Sequence, residues 1–142
     1  MSIAVVKPFI SAQVNSLGFE EWEDAFGNNN IPSTIIDRSY HQLVVNVLGS
    51  GISQETLEYT VIHEVKLFFK AFNQTDVSVD KAIVEAEEVL KKFLNVPDYT
   101  TAGLKGVFLD SIDISPLDNE ENDNIIVVTI TLNIKVFTCL YN

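Results

Sequence analysis

The chain of 142 residues is poor in the residues that staple, ligate or grip phosphate. Its single cysteine, Cys139, excludes an internal disulfide and fits a reducing compartment. Placed in a C-terminal apolar run with no base beside it, Cys139 reads as a buried, inert thiol. Lysine and arginine number 9 against 20 acids, a net charge of −11 with no basic cluster. Such a chain repels phosphate backbones, which excludes sequence-specific nucleic-acid binding of the usual electrostatic kind. No apolar run approaches the ~20 residues of a membrane span. The start, "MSIAVVKPF", lacks the basic opening and cleavage pattern of a secretory signal, so a soluble, cytoplasmic chain is expected. Neither a phosphate-cradling glycine loop nor a serine nucleophile elbow is present.

What remains is ordinary globular material. Apolar residues make up 46% and charged residues 20%, and Val, Ile, Leu and Phe are too abundant for disorder. A single domain of this size buries roughly 68% of its unfolded surface, enough to fold without metal or disulfide. Pro8 suits the first position of a helix over about 8–17, with Phe9, Ile10, Val14 and Leu17 at helical spacing and Gly18 ending it. "FEEWEDAFGNNN" reads as a short helix or a packed loop, and "GNNNIPSTIIDRS" as a long connection. Strands are predicted over 40–49 and about 57–70, joined by a turn at "SGIS" where Gly49 and Gly51 can take positive φ.

The strongest helix signal is 79–94, where Val79, Ala82, Ile83, Ala86, Leu90, Phe93 and Leu94 form one stripe. Ser78 is its expected N-cap and Pro97 blocks its extension. "LKGVFLDSIDIS" is a third strand, "PLDNEENDN" a polar turn, and 125–137 a fourth strand. In that last strand Ile126, Val128, Ile130, Leu132, Ile134 and Val136 oppose Thr129, Thr131, Asn133 and Lys135. Short polar turns imply antiparallel hairpins. The expected fold is therefore α+β in the order α-β-β-α-β-β: a four-stranded, mainly antiparallel sheet packed by one long helix, with a short N-terminal helix.

The dipeptide His63–Glu64 looks like the start of a site. On a strand the two side chains point to opposite faces, His63 with the apolar row and Glu64 away from it. The HExxH zinc pattern fails because Leu67 occupies the second histidine's place. If "SGIS" closes a tight hairpin, His41 falls within a residue or two of His63, yet no third metal ligand is evident. The acids Asp118, Glu120, Glu121 and Asp123 lack the spacing and glycine of a calcium loop and read as a solvated hairpin tip. Asp37 and Arg38 read as a surface or interface salt bridge. No catalytic, cofactor or metal residue is expected, and an enzyme is disfavoured.

Three stretches carry a resemblance: "NIPSTIIDRSYH" entering the first strand, "HEVKLFFKAF" leading into "DKAIVEAEEVLKKFL", and the closing "GVFLDSIDISPL" and "NDNIIVVTITLNIKVF". In pattern and topology, over about residues 8–137, the chain resembles the tail terminator (tail completion) proteins of long-tailed, lambda-like bacteriophages. The resemblance implies a virion protein at the top of the tail, assembled in the host cytoplasm. Its copies would form a homo-hexameric ring that caps the tail tube, stops its polymerisation and meets the head connector, while DNA passes without specific binding. It also implies contact segments at the hairpin tip with Ser50 and Gly51, at the aromatic stretch with Trp22 and Phe26, and at the acid loop 118–123. Ordinary core or loop packing accounts for those aromatics slightly better than an interface does. Two alternatives stand beside it: another neck or head-closure protein, and a small monomeric or dimeric ligand-binding module, which would need a pocket of convergent polar groups.

Overall fold

The computed structural model describes residues 5–21, 37–51, 56–70, 76–96, 99, 104–117 and 125–139. Helix α1 (Val6–Asn15) opens with Val5 in the N-cap position. Pro8 is thus the third helical residue, not the first. It is tolerated there because the first four helical amides have no intrahelical acceptor. Beyond the helix, Leu17 and Gly18 donate back to the carbonyls of Val14 and Asn15, and Gly18 takes a φ of 88°, the left-handed geometry that glycine enters without a Cβ clash.

Instead of continuing as helix or loop, the chain then forms a strand that the sequence did not announce. This is β1 (Glu20–Glu21), which pairs parallel with the start of β2 (Ser39–Gly51). Two acids carry no period, so the pattern had nothing to report. β3 (Thr56–Lys70) returns antiparallel to β2, helix α2 (Asp76–Leu94) follows, and β4 (Gly106–Leu117) and β5 (Ile125–Cys139) close the fold. The sheet therefore has five strands, not four, in the order β1-β2-β3-β5-β4, all antiparallel except the β1–β2 pair. The class is α+β, as the patterning implies.

Several boundaries move. α2 starts at Asp76, so Ser78 lies inside the helix and does not cap it. Ser50 and Gly51 continue β2, opposite Glu58 and Leu57, where a turn was expected. Pro116 and Leu117 belong to β4; proline is admitted because β4 is an edge strand, whose outward amides need no ladder partner. None of the helices in the described residues is long and apolar enough to cross a membrane.

Both helices lie on one face of the sheet. Their apolar rows meet Val61, Val65, Leu67 and Phe69 of β3 and the alternating Val128, Ile130, Leu132, Ile134 and Val136 of β5 in one core. α2 buries Ala82, Ala86, Val89 and Phe93, while Leu94, counted in the sequence stripe, is partly exposed. Val89 replaces it because the true stripe drifts around the helix by the 3.6-residue period. Phe68, Ile125 and Val127 make a small second cluster on the opposite face.

Arg38 fastens the layers. Its backbone is left-handed (φ 60°), a costly conformation for a residue with a Cβ. In exchange the guanidinium lies 4.6 Å from the centroid of the buried Phe19 ring, ion-pairs with Glu85 of α2 and donates to the carbonyl of Leu17 at 2.6 Å. Phe19 in turn meets Phe69 edge-on at 5.7 Å. Arg38 thus joins the turn after α1, helix α2 and the start of β2 within one chain, an internal pairing with Glu85 beside the surface or interface bridge expected of Asp37–Arg38. Replacing Arg38 with alanine should cost about 2 kcal/mol, the worth of a charged hydrogen bond plus a partly screened ion pair. Urea denaturation would show it as a lower midpoint at unchanged slope.

Candidate interaction surfaces

The one dense polar cluster in the described interior centres on Gln42, which the sequence pattern passed over. β2 turns Gln42 toward the helices, next to the core row of β3, and buries it. Its Nε2 donates to Ser11 Oγ at 2.8 Å, to Glu21 Oε1 at 2.5 Å and toward the Lys7 carbonyl at 3.3 Å. Ser11 Oγ donates to Glu21 Oε2 at 3.1 Å. Because the amide nitrogen is engaged in donation, Gln42 Oε1 must accept, and the group 2.8 Å away is His63 Nε2. That assigns the proton of a neutral His63 to Nε2 and leaves Nδ1 as a buried lone pair with no hydrogen-bond partner among the described residues. Burial, and then the nearby charge of Lys7, push the His63 pKa down from 6.5 to about 4. The arrangement ties α1, β1, β2 and β3 together through one amide; it explains why a two-residue β1 forms at all.

Glu64 lies on the opposite face, 3.5 Å from Lys66, so it does not converge with His63. His41 does not converge with it either. It pairs with Lys66, not near His63, and its odd position in β2 sends it to the face away from the helices. Among the described residues no group of three His, Cys, Asp or Glu side chains is placed to hold a metal.

The exposed large apolar side chains are not scattered. Among the described residues Val44, Val45 and Leu48 lie on β2, Phe108, Leu109, Ile112 and Ile114 lie on β4, and only Val84 and Leu94, on α2, fall elsewhere. β2 and β4 are on opposite sides of the sheet. Among the described residues β1 covers β2 only at Ser39 and Tyr40, and no strand pairs the outer edge of β4. Each strand carries one bulge near its middle, between Val44 and Asn46 and between Leu109 and Ser111. α2 packs over β5 and reaches β4, yet Leu109, Ile112 and Ile114 on the helix side stay 39–42% exposed.

The face away from the helices is mixed and close to neutral. Glu58 takes Lys105 at 3.0 Å and Lys135 at 3.9 Å, and Lys135 sits 5.9 Å above the Phe108 ring. All nine cations of the chain belong to the described residues, whereas Glu23, Asp24, Glu55, Asp98, Asp118, Glu120, Glu121 and Asp123 do not. Most of the acid excess therefore falls outside the described residues. A groove of about 440 Å³ beside the C-terminal turns of α1 and α2 is lined by Gln13, Glu88, Lys91, Lys92, Asn95 and Val96. Glu88 and Lys91 neutralise each other there at 3.2 Å.

Of the contact residues anticipated from the sequence, Trp22, Phe26, Asp118, Glu120, Glu121 and Asp123 lie outside the described residues. Asp37 is exposed in the turn before β2, Arg38 is the internal clamp, and Ser50 and Gly51 end β2. Alternation assigns a face and not an edge, so the pattern of this strand does not mark Leu109, Ile112 and Ile114 as exposed. In comparisons with known proteins, no family model and no curated protein matches the chain.

Proposed function

We propose that this chain is a structural subunit of a phage tail, a tail terminator whose copies join head-to-tail into a ring that caps the tail tube. The observation that carries the proposal is the concentration of exposed apolar side chains on two open strands at opposite sides of one sheet. Large apolar side chains left in water favour association. Two different patches on opposite sides make a heterologous contact, which closes into a ring when the rotation per copy divides the circle. A two-fold dimer needs one self-complementary patch and would leave the other in water. The net charge of −11 suits a passage that DNA traverses without being held, since like charge keeps the phosphates off the wall. The mechanism is geometric: a closed ring ends a polymer by offering the next tube subunit no matching face.

The test is the mass of the purified chain by light scattering across concentration, with negative-stain electron microscopy of the same sample and of the sample mixed with tail tubes. Rings with a central hole, or density at one end of each tube, are the expected result. A chain that stays monomeric and ignores tubes would sink the proposal. Rings that bind head connectors and not tubes would instead assign the chain to the head side of the neck.

A further inference from the structure

We infer that neighbouring copies join by pairing β4 of one with β2 of the next, making one sheet continuous across the interface, in a register set by their bulges. The inference rests on the ring proposal for its partner, a second copy of this chain, and adds which atoms meet.

Strand sense permits it. β2, β3, β5 and β4 alternate in direction, so β4 runs antiparallel to β2, and a neighbour in the same orientation presents β4 antiparallel to an open β2. The lengths agree: β4 has 12 residues, and β2 has 13, of which β1 occupies only the first two. Facing then selects the register. On the helix side of β2, Val44 is followed by Val47; on the helix side of β4, Leu109 is followed by Ile112. Each strand advances three residues between these positions, because each carries its bulge there. Setting Val44 against Ile112 therefore puts Val47 against Leu109 on the same face and Leu48 against Phe108 on the other, with bulge against bulge. A slip of one residue would turn every pair to opposite faces. A bulge alone blunts an edge; two at matching places fit each other.

Charge separates this pairing from its rivals. Between Gly106 and Leu117, β4 carries Asp110 and Asp113 and no cation, whereas β2 carries no carboxylate from His41 to Gly51. Pairing β4 with another β4 about its bulge brings two copies of Asp110 together, a like-charge contact that destabilises a strand pair. Pairing β2 with β2 avoids charge but leaves Phe108 and its neighbours in water. Pro116, lacking an amide hydrogen, falls at the end where β1 already occupies β2, so no bond is forgone there.

The test is site-directed cross-linking of the full chain with Cys139 replaced by serine. Val44→Cys and Ile112→Cys are introduced separately, mixed, and oxidised; directly opposed strand residues lie within disulfide reach. The mixture should form 44–112 dimers at least tenfold above either variant alone, and the double variant should give a ladder. Leu109→Lys, at an exposed site that leaves folding intact by circular dichroism, should abolish both. Rings without a 44–112 cross-link would overturn the edge pairing and leave the ring proposal standing. Cross-linked open chains without rings would support the pairing and count against the terminator. With Val47→Cys added to the set, a 44–47 cross-link between copies would mean β2 pairs with itself, which also overturns the inference.

Discussion

Lowering the pH from 6.5 to about 4 should remove about 3 kcal/mol of folding stability through His63 alone. The cause is local. Nε2–H already donates to Gln42, so protonation must occur at Nδ1, in a fully buried ring with no acceptor among the described residues. Desolvation disfavours the cation first, and the charge of Lys7 adds to it. Glu21, the nearest carboxylate in the network, is one side chain removed, behind Gln42. The folded-state pKa is depressed below the unfolded value of 6.5, so between the two the unfolded chain binds more protons. The contribution is therefore complete above pH 6.5, shrinks as the pH falls from 6.5 to about 4, and falls no further once the folded form is protonated as well. Urea titrations of the wild type and His63→Gln at pH 7, 6, 5 and 4 would measure it. The difference between the two profiles isolates His63 from the carboxylates that titrate nearby. Equal slopes would mean that the buried imidazole is protonated in the folded chain without penalty.

The second large effect is expected from Gln42→Leu, which keeps the size of the side chain and removes every polar contact it makes. His63 Nε2–H loses its acceptor in a dry interior, and Ser11 and Glu21 lose a donor in a part-buried one. A buried donor without a partner costs about 1–3 kcal/mol, and the sum with the other two contacts should reach about 3 kcal/mol. The leucine's own apolar burial offsets part of the loss, so the figure is below a naive total of bonds. Pairing the mutation with His63→Leu distinguishes network from packing. If the amide and imidazole act as one unit, the double variant should be less destabilised than the two singles predict, by about 1–2 kcal/mol. Strict additivity would show that Gln42 matters only to α1 and β1. Loss of protection at the Glu20 amide, which donates to the Arg38 carbonyl at 3.1 Å, would report in hydrogen exchange whether β1 depends on this anchor.

These two experiments probe the interior that holds the open edges in place, and the cross-linking experiment probes the edges themselves. The connection is physical. β2 is both the strand that Gln42 pins to α1 and one of the two strands left open. A chain that loosens β2 from within should also assemble less well, although no exposed residue has changed.

Alternation and helical period by themselves determined the four long strands, both helices and the antiparallel hairpins, since each needs only a local pattern summed over many residues. They also placed His63 and Glu64 on opposite faces, which follows from the two-residue period of any strand. What only the tertiary structure decided was everything set by a single contact between distant residues. β1 exists because Gln42 and Arg38 reach Glu21 and Glu20. Arg38 became a clamp because Glu85 stands across from it on a helix 47 positions away. Leu109, Ile112 and Ile114 are in water because β4 is the last strand among the described residues, and a repeat of apolar residues is the same in the middle of a sheet as at its rim.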